Sequence, residues 1–312
     1  MAVIFGGGEL SSFTRFNALE TTLAGTFSAP ARCGIHVKKG GYIRTDALGG
    51  LSDIWVHLDI NIAMLSPNLT VLSITNPSGV PQFSLTSDGK LMAGTIQVGT
   101  IPMATGRFTY DIHLRGGSGG IIEVYADSQV VFSANGTFSF SNMQTMILSP
   151  SGFNGTENDT NTVYSQIVVA NEVTIGYKLA TLVLDSVGAN NSWTGTSSDA
   201  AADVNEIGLD DSTYISASSA GLVETWATSD LDGQYTNIRA VIVSALGKYS
   251  TTGPKNLDAA VRLGGGNYFT PMSTLGPGYT PSQAVFNVNP VTNATWTRDD
   301  VNASEFGIRS KV

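Results

Sequence analysis

The chain has 312 residues, of which 42% are hydrophobic and only 13% are Asp, Glu, Lys or Arg, against a usual charged share of about 25%. Its 35 glycines, with abundant Ser, Thr and Asn, supply turns and sheet faces rather than helix surfaces; a helical protein and a charge-rich disordered one are both excluded. A net charge of −9, with 16 scattered Lys and Arg, excludes a broad nucleic-acid-binding face.

The opening residues, 1–9, lack a basic stretch followed by a long apolar one, so no signal peptide is expected. No window approaches about 18 apolar residues, so no membrane insertion is expected. Asn-x-Ser/Thr sites at Asn68, Asn135, Asn154, Asn158, Asn293 and Asn302 read as products of composition. Residues 1–24 join Gly6-Gly7-Gly8 to Phe5, Phe13, Phe16, Leu19 and Leu23. They are too apolar for a loose tail and too short for a domain. The reading adopted is an assembly arm that docks on another chain through Phe5, Phe13 and Phe16; a strand closing the first domain is the alternative. Cys33 stands alone, which excludes an internal disulfide framework and a multi-thiolate metal site.

Period-two patterns follow. Ile54, Val56, Leu58, Ile60 and Ile62 point one way, while Trp55, His57, Asp59 and Asn61 point the other. Phe108, Tyr110, Ile112 and Leu114 alternate in the same way with Thr109, Asp111, His113 and Arg115. One buried and one wet face are expected, as in an antiparallel sandwich. Shorter strands are expected at 42–45, 69–74, 82–86, 121–125, 129–133, 145–149 and 164–170. Asn76-Pro77-Ser78-Gly79, Asp88-Gly89, the Gly116–Gly120 run and Asn135-Gly136 carry turn chemistry between them. A second series is expected at 177–184, 213–217, 222–227, 237–244, 257–263, 266–270, 283–288 and 305–311. Thr297 followed by Asp300 is a helix start with an acid three residues on. The fold expected is all-β: two antiparallel β-sandwich or jelly-roll domains at 25–172 and 173–312, behind the arm at 1–24.

Chemistry is sparse. Gly116-Gly117-Ser118-Gly119-Gly120 matches G-x-S-x-G, but a strand pattern follows where a nucleophile elbow needs a helix. The strand around Asp59 lacks the flanking glutamates of a sandwich glycosidase, which argues against that chemistry, and no enzyme activity is expected. His57 and His113 share polar faces with Asp59 and Asp111. If the strands are neighbours, Trp55, His57, Asp59, Asn61, Asp111, His113 and Arg115 would form one ligand-binding face suited to sugar hydroxyls. Solvated polar residues are the other reading. Oxygen ligands of the kind Ca²⁺ takes occur at residues 157–161 and around Asp199, Asp203, Asp210 and Asp211, but neither stretch has the spacing of a calcium loop. They read as solvated acidic turns, and no cofactor or metal is expected.

Several segments carry resemblances. Gly41-Tyr42-Ile43-Arg44-Thr45, the strand at 54–62, the segment at 106–114 and Glu123-Val124-Tyr125-Ala126-Asp127-Ser128 make residues 26–170 resemble a concanavalin A-like sandwich of the laminin-G or pentraxin type. Ser128 stands where that family usually has Gly. Residues 164–172, 188–193, 286–290 and 296–307 are similar to segments of tailed-bacteriophage virion proteins. This resemblance implies a surface protein of the virion, assembled in the host cytoplasm among other virion proteins. A tail-fibre-like adhesin touching host glycans is the expected role. A capsid decoration or head-fibre protein is the alternative, and a polysaccharide depolymerase the third. It also implies a homo-oligomer, a trimer by the habit of fibres and tail appendages.

Overall fold

The computed structural model describes residues 2–21, 33–45, 48–62, 68–151, 162–205 and 211–312. The chain forms two compact units, Val3–Ala180 and Thr181–Val312, so the division falls after Ala180 rather than at 172. The fold is all-β and antiparallel, as the alternation and turn chemistry lead one to expect.

The strands of the first unit are β1 (Val3–Gly7), β2 (Thr14–Thr21), β3 (Gly34–Arg44), β4 (Asp53–Ile62), β5 (Thr70–Thr75), β6 (Pro81–Thr86) and β7 (Lys90–Ala93). They continue as β8 (Ile96–Thr100), β9 (Gly106–Arg115), β10 (Gly117–Ala126), β11 (Gln129–Phe138), β12 (Thr145–Ser151) and β13 (Thr162–Ala170). One hydrogen-bonded path runs β11-β10-β9-β4-β13-β3-β12-β5-β6-β7-β8, with β1 added to β13 and β2 to β3. The path doubles back at β3. Its early residues pair with β13 (Ile35 with Tyr164, Val37 with Thr162), and its late ones pair with β12 (Ile43 with Leu148, Arg44 with Ile147). Between them lies Lys38-Lys39-Gly40-Gly41, where Gly40 takes a φ of +68° that glycine adopts without strain. The strands before β3 in the path form a first sheet, and those after it a second.

The core lies between these sheets. Ile54, Val56, Leu58, Ile60 and Ile62 of β4 join Tyr110, Ile112 and Leu114 of β9, and meet Leu72, Ile74, Phe83, Leu85, Met146 and Leu148 from the second sheet. The inward phase of both long strands is the expected one. At the far ends the two sheets meet: a Cβ on Gly99 of β8 would run into the ring of Phe132 in β11. Tyr110 is buried here, and loss of hydration pushes its phenol up to about 12.

The N-terminal residues differ from the expected arm. Phe5 is 3% and Phe13 1% exposed, both within this unit's own core, with ring centroids 5.2 Å apart. β1 pairs with β13 from Val3–Ala170 to Gly7–Ile167, and β2 pairs along β3 with Phe16 opposite Tyr42. The physical reason is the edge of β13: β3 covers only residues 162–164, and β1 supplies the missing hydrogen bonds beside 167–170. Phe5 and Phe13 therefore close the sandwich and are not offered to another chain.

One expected turn is also corrected. The Gly116–Gly120 run connects β9 to β10 as expected, closing with Arg115 opposite Ile121, whereas Asn135-Gly136 lies inside β11, with Gly136 opposite Gly120. The hairpin of β10 and β11 turns at Asp127 and Ser128, between the strands expected at 121–125 and 129–133, with φ of +48° and +67°, the left-handed pair that a tight I′ connection requires.

The second unit begins its strands with β14 (Leu184–Asn191), so residues 177–183 are not the strand expected there. β14, β17 (Val223–Thr228), β22 (Glu305–Lys311), β19 (Asn256–Leu263) and β20 (Gly266–Pro271) form a five-stranded sheet. Two further pairs are β15 (Thr194–Gly195) with β16 (Ile215–Ser216), and β18 (Val241–Gly247) with β21 (Thr280–Phe286). Its main core gathers Val261, Phe286, Val301 and Phe306 around Trp296, whose Nε1 donates to the Phe286 carbonyl at 2.9 Å. The short helix α1 (Arg298–Asn302) carries the expected capping box: Thr297 Oγ1 accepts from the Asp300 N–H, and the Asp300 carboxylate accepts from the Thr297 N–H.

Candidate functional site

The polar phases of β4 and β9 do lie side by side. Trp55 is opposite His113, His57 opposite Asp111 and Asp59 opposite Thr109. The adjacency that would assemble the expected sugar-binding face is present, but the face is not open. His57, Asp59 and Asp111 are each 1% exposed, and Trp55 and His113 each 8%.

The chain uses these groups on itself. His57 Nδ1 lies 2.9 Å from Asp111 Oδ1, and the same oxygen accepts from Thr174 Oγ1 at 2.7 Å. Thr174 belongs to the segment that follows β13, so this segment returns across the outer face of the first sheet. Gln166 fixes it a second time: its Oε1 accepts from the Leu179 N–H at 2.9 Å. Gln166 is 2% exposed and sits at φ +54°, at an irregularity in the pairing of β13 with β4. Such a bulge re-aims one side chain out of the normal alternation. Two buried atoms, His57 Nε2 and Asp111 Oδ2, have no hydrogen-bond partner.

Asp59 is held in the same manner. Its two oxygens accept from Thr109 Oγ1 and Arg107 Nη2, each at 2.6 Å. Nearer the rim, Trp55 stacks on His113 with centroids 4.4 Å apart and planes 9° from parallel. His113 in turn lies 3.0 Å from Asp53 Oδ1 and 3.2 Å from Glu123 Oε2. Tyr125 flanks the stack at 5.8 Å from Trp55; partial burial and the neighbouring Glu123 and Asp111 carboxylates push its phenol upward. Asn61 is half-buried at the other end of β4, opposite Arg107, and the exposed Arg115 turns to the Gly119 carbonyl at 3.1 Å.

The expected ligand-binding set of Trp55, His57, Asp59, Asn61, Asp111, His113 and Arg115 thus divides. Five form a covered polar layer, while Asn61 and Arg115 stand at its ends. The reason is energetic: a buried carboxylate or imidazole demands partners from its own chain. Arg107, Thr109 and Glu123 supply them and share the outward phase of their strands, so the alternation could have singled them out. Thr174 and Gln166 carry no such signal, because one lies beyond the last strand and the other on a bulge.

The acidic stretch at 157–161 and Asp210 lie outside the described residues. Asp199 caps its own turn, accepting from the Ala201 and Ala202 N–H groups, and Asp211 is exposed. The Ser197 backbone N–H, with Thr196 and Ser197 around it, holds the Asp203 carboxyl below the usual carboxylate range. Among the described residues no cluster of three or more His, Cys, Asp or Glu is arranged to hold a metal ion. Ser118 lies in β10, a strand, where an elbow would be followed by a helix.

No protein-family model and no curated protein matches the chain. Among solved structures, the endo-β-1,4-glucuronan lyase of the fungus Trichoderma reesei is similar over 54% of this chain and 94% of its own, at 8% identity and a TM-score of 0.41. Domain 4 of AbnA, a GH43 extracellular arabinanase from Geobacillus stearothermophilus, solved with arabinotriose, covers 54% of this chain and 91% of its own, at 14% identity and a TM-score of 0.37. A Trypanosoma rangeli sialidase covers 46% of this chain and 28% of its own, at 11% identity and a TM-score of 0.32. The sequence-based expectation of a non-enzymatic chain is corrected here. A lyase and a sialidase stand among the similar structures, so that exclusion is withdrawn. Similarity at this level shares β-architecture and assigns this chain neither an activity nor a ligand.

Proposed function

We propose that the chain is a structural surface protein of a tailed-phage particle, with the first sandwich as its scaffold, and that it decorates the shell as a capsid decoration or head-fibre protein. The phage assignment rests on the virion-like segments around 164–172, 188–193 and 286–307. The choice of decoration over an adhesin rests on one observation: His57, Asp59 and Asp111, central to the expected glycan-contact face, are 1% exposed and bonded to their own chain. A face spent on internal bonds stabilises the fold and is not available to host sugars. Immunogold labelling of purified particles, with copy number measured against the major shell protein, tests this. Label over the shell at near-stoichiometric copy number is expected. Label at the tail tip returns the adhesin reading, and absence of the chain from particles overturns both.

A further inference from the structure

The outer face of the second sheet is built differently. The register sets Arg44 of β3, Ile147 of β12, Ser73 of β5 and Ser84 of β6 in one row across four strands. Tyr42 and Ser149 lie one same-face step along their strands. With strands about 4.8 Å apart the row spans roughly 14 Å, and these residues line a groove of about 480 Å³.

Ser73 is only 9% exposed, and its Oγ has no hydrogen-bond partner. A buried hydroxyl left unpaired is costly unless something else fills its valence. Ser149 at the same floor shows the contrast, since its Oγ donates to the Gly41 carbonyl at 2.7 Å. Arg44 is exposed and is the only charged residue among the described lining residues. A lone guanidinium with no carboxylate in its groove, in a chain of net charge −9, is a local reversal of sign. Guanidinium forks match carboxylates through paired N–H···O bonds. Tyr42 and Ile147 add apolar surface on which the face of a sugar ring can rest.

We propose that this groove binds a carboxylate-bearing saccharide. Arg44 takes the carboxylate, Ser73 Oγ meets a ring hydroxyl or ring oxygen, and Tyr42 with Ile147 supports the ring. The site is independent of where the chain sits on a particle, so it can be tested on the purified protein alone. Affinity electrophoresis of the full chain through gels containing polygalacturonate, hyaluronan or neutral dextran is the experiment. The net negative charge opposes non-specific attraction to acidic polymers, so retardation reports a site. The expected result is retardation by at least one acidic polymer and none by dextran. Arg44→Gln should weaken it about tenfold or more, with partial recovery in Arg44→Lys. Ser73→Ala should weaken it by about threefold to tenfold. Urea melts of each variant separate lost binding from lost folding, and Ser73→Ala carries the comparison if Arg44→Gln does not fold. Absence of retardation by both acidic polymers, equal retardation by dextran, or a folded Arg44→Gln that behaves as wild type overturns the proposal.

Discussion

The two outer faces of the first unit start from the same kind of sequence and end in opposite states. On the first sheet, the outward phase of β4 and β9 carries Trp55, His57, Asp59, Asp111 and His113, and all five are buried. On the second, the outward phase carries Arg44, Ile147, Ser73 and Ser84, and a groove remains above them. The difference lies in what the chain does next. After β13 the backbone returns across the first sheet, tied down by Thr174 and Gln166. Among the described residues, no comparable tie reaches the row around Ser73. A polar phase in a strand thus says which side of the sheet a residue takes, and nothing about whether water reaches it.

The largest effect should come from the interior that both faces share. Leu58 is 2% exposed between the sheets. Leu58→Asp should destabilise the first unit by about 3–5 kcal/mol, the consequence of an unpaired buried charge, read as a lower urea midpoint. A wild-type midpoint would break the assignment of inside and outside on which the comparison rests.

Next comes the closed face itself. Asp111→Ala leaves the His57 imidazole and the Thr174 hydroxyl without their shared acceptor. It should cost roughly 2–4 kcal/mol. Thr174→Val removes one bond and should cost about 1 kcal/mol, with faster amide exchange and proteolysis confined to residues 171–180. Uniform loosening of the whole unit would show that this segment is not a separate cover.

The second unit offers a closed polar group with the opposite electrostatics. Glu224 is fully buried; loss of hydration raises its carboxyl above the usual value of 4.5, and the Trp193 and Ser192 N–H groups only partly oppose this. A group whose folded pKa is raised adds stability below its unfolded pKa and loses it as pH climbs through the folded one. The second unit should therefore be favoured near pH 4 and weaken toward neutrality. Glu224→Gln, neutral at every pH, should gain about 1 kcal/mol at pH 7–8 and lose that advantage in acid. Thermal melts across this range check it, and a variant equal to wild type at pH 8 would show that the carboxylate is already well accommodated.

The smallest effect belongs to the open face. Ser73→Ala removes a buried hydroxyl with no partner in the chain and should leave stability unchanged or raise it by up to about 1 kcal/mol. A large loss would mean that Ser73 has a structural duty, and the contrast between the two faces would shrink.

Much of this was legible from residue order alone. The alternation in β4 and β9 marked their inward phase because hydrophobic burial acts on every second residue. The capping box at Thr297 and Asp300 was legible because both partners lie within one turn. The N-terminal strands were not. Phe5 and Phe13 look the same whether they fill their own core or a neighbour's, and only the bare edge of β13 decides between them. The turn expected at Asn135-Gly136 was misplaced because a glycine facing another across strands, as Gly136 faces Gly120, resembles a glycine in a turn. The covered face was half legible: alternation puts His57 beside Asp111 once the strands pair, but nothing local announces that Thr174 will fold back over them.

The pairing of Val3 with Ala170 has a consequence for the birth of the molecule. The first strand made must wait for the last strand of its unit before it has a partner on the sheet. Until the ribosome has released residue 170, the segment carrying Phe5 and Phe13 has no β13 against which to settle. Closing so long a span before any of its contacts can form is slow. A nascent chain halted before Thr162 should thus expose an apolar edge to chaperones or to other copies of itself, and one halted soon after Ala180 should not.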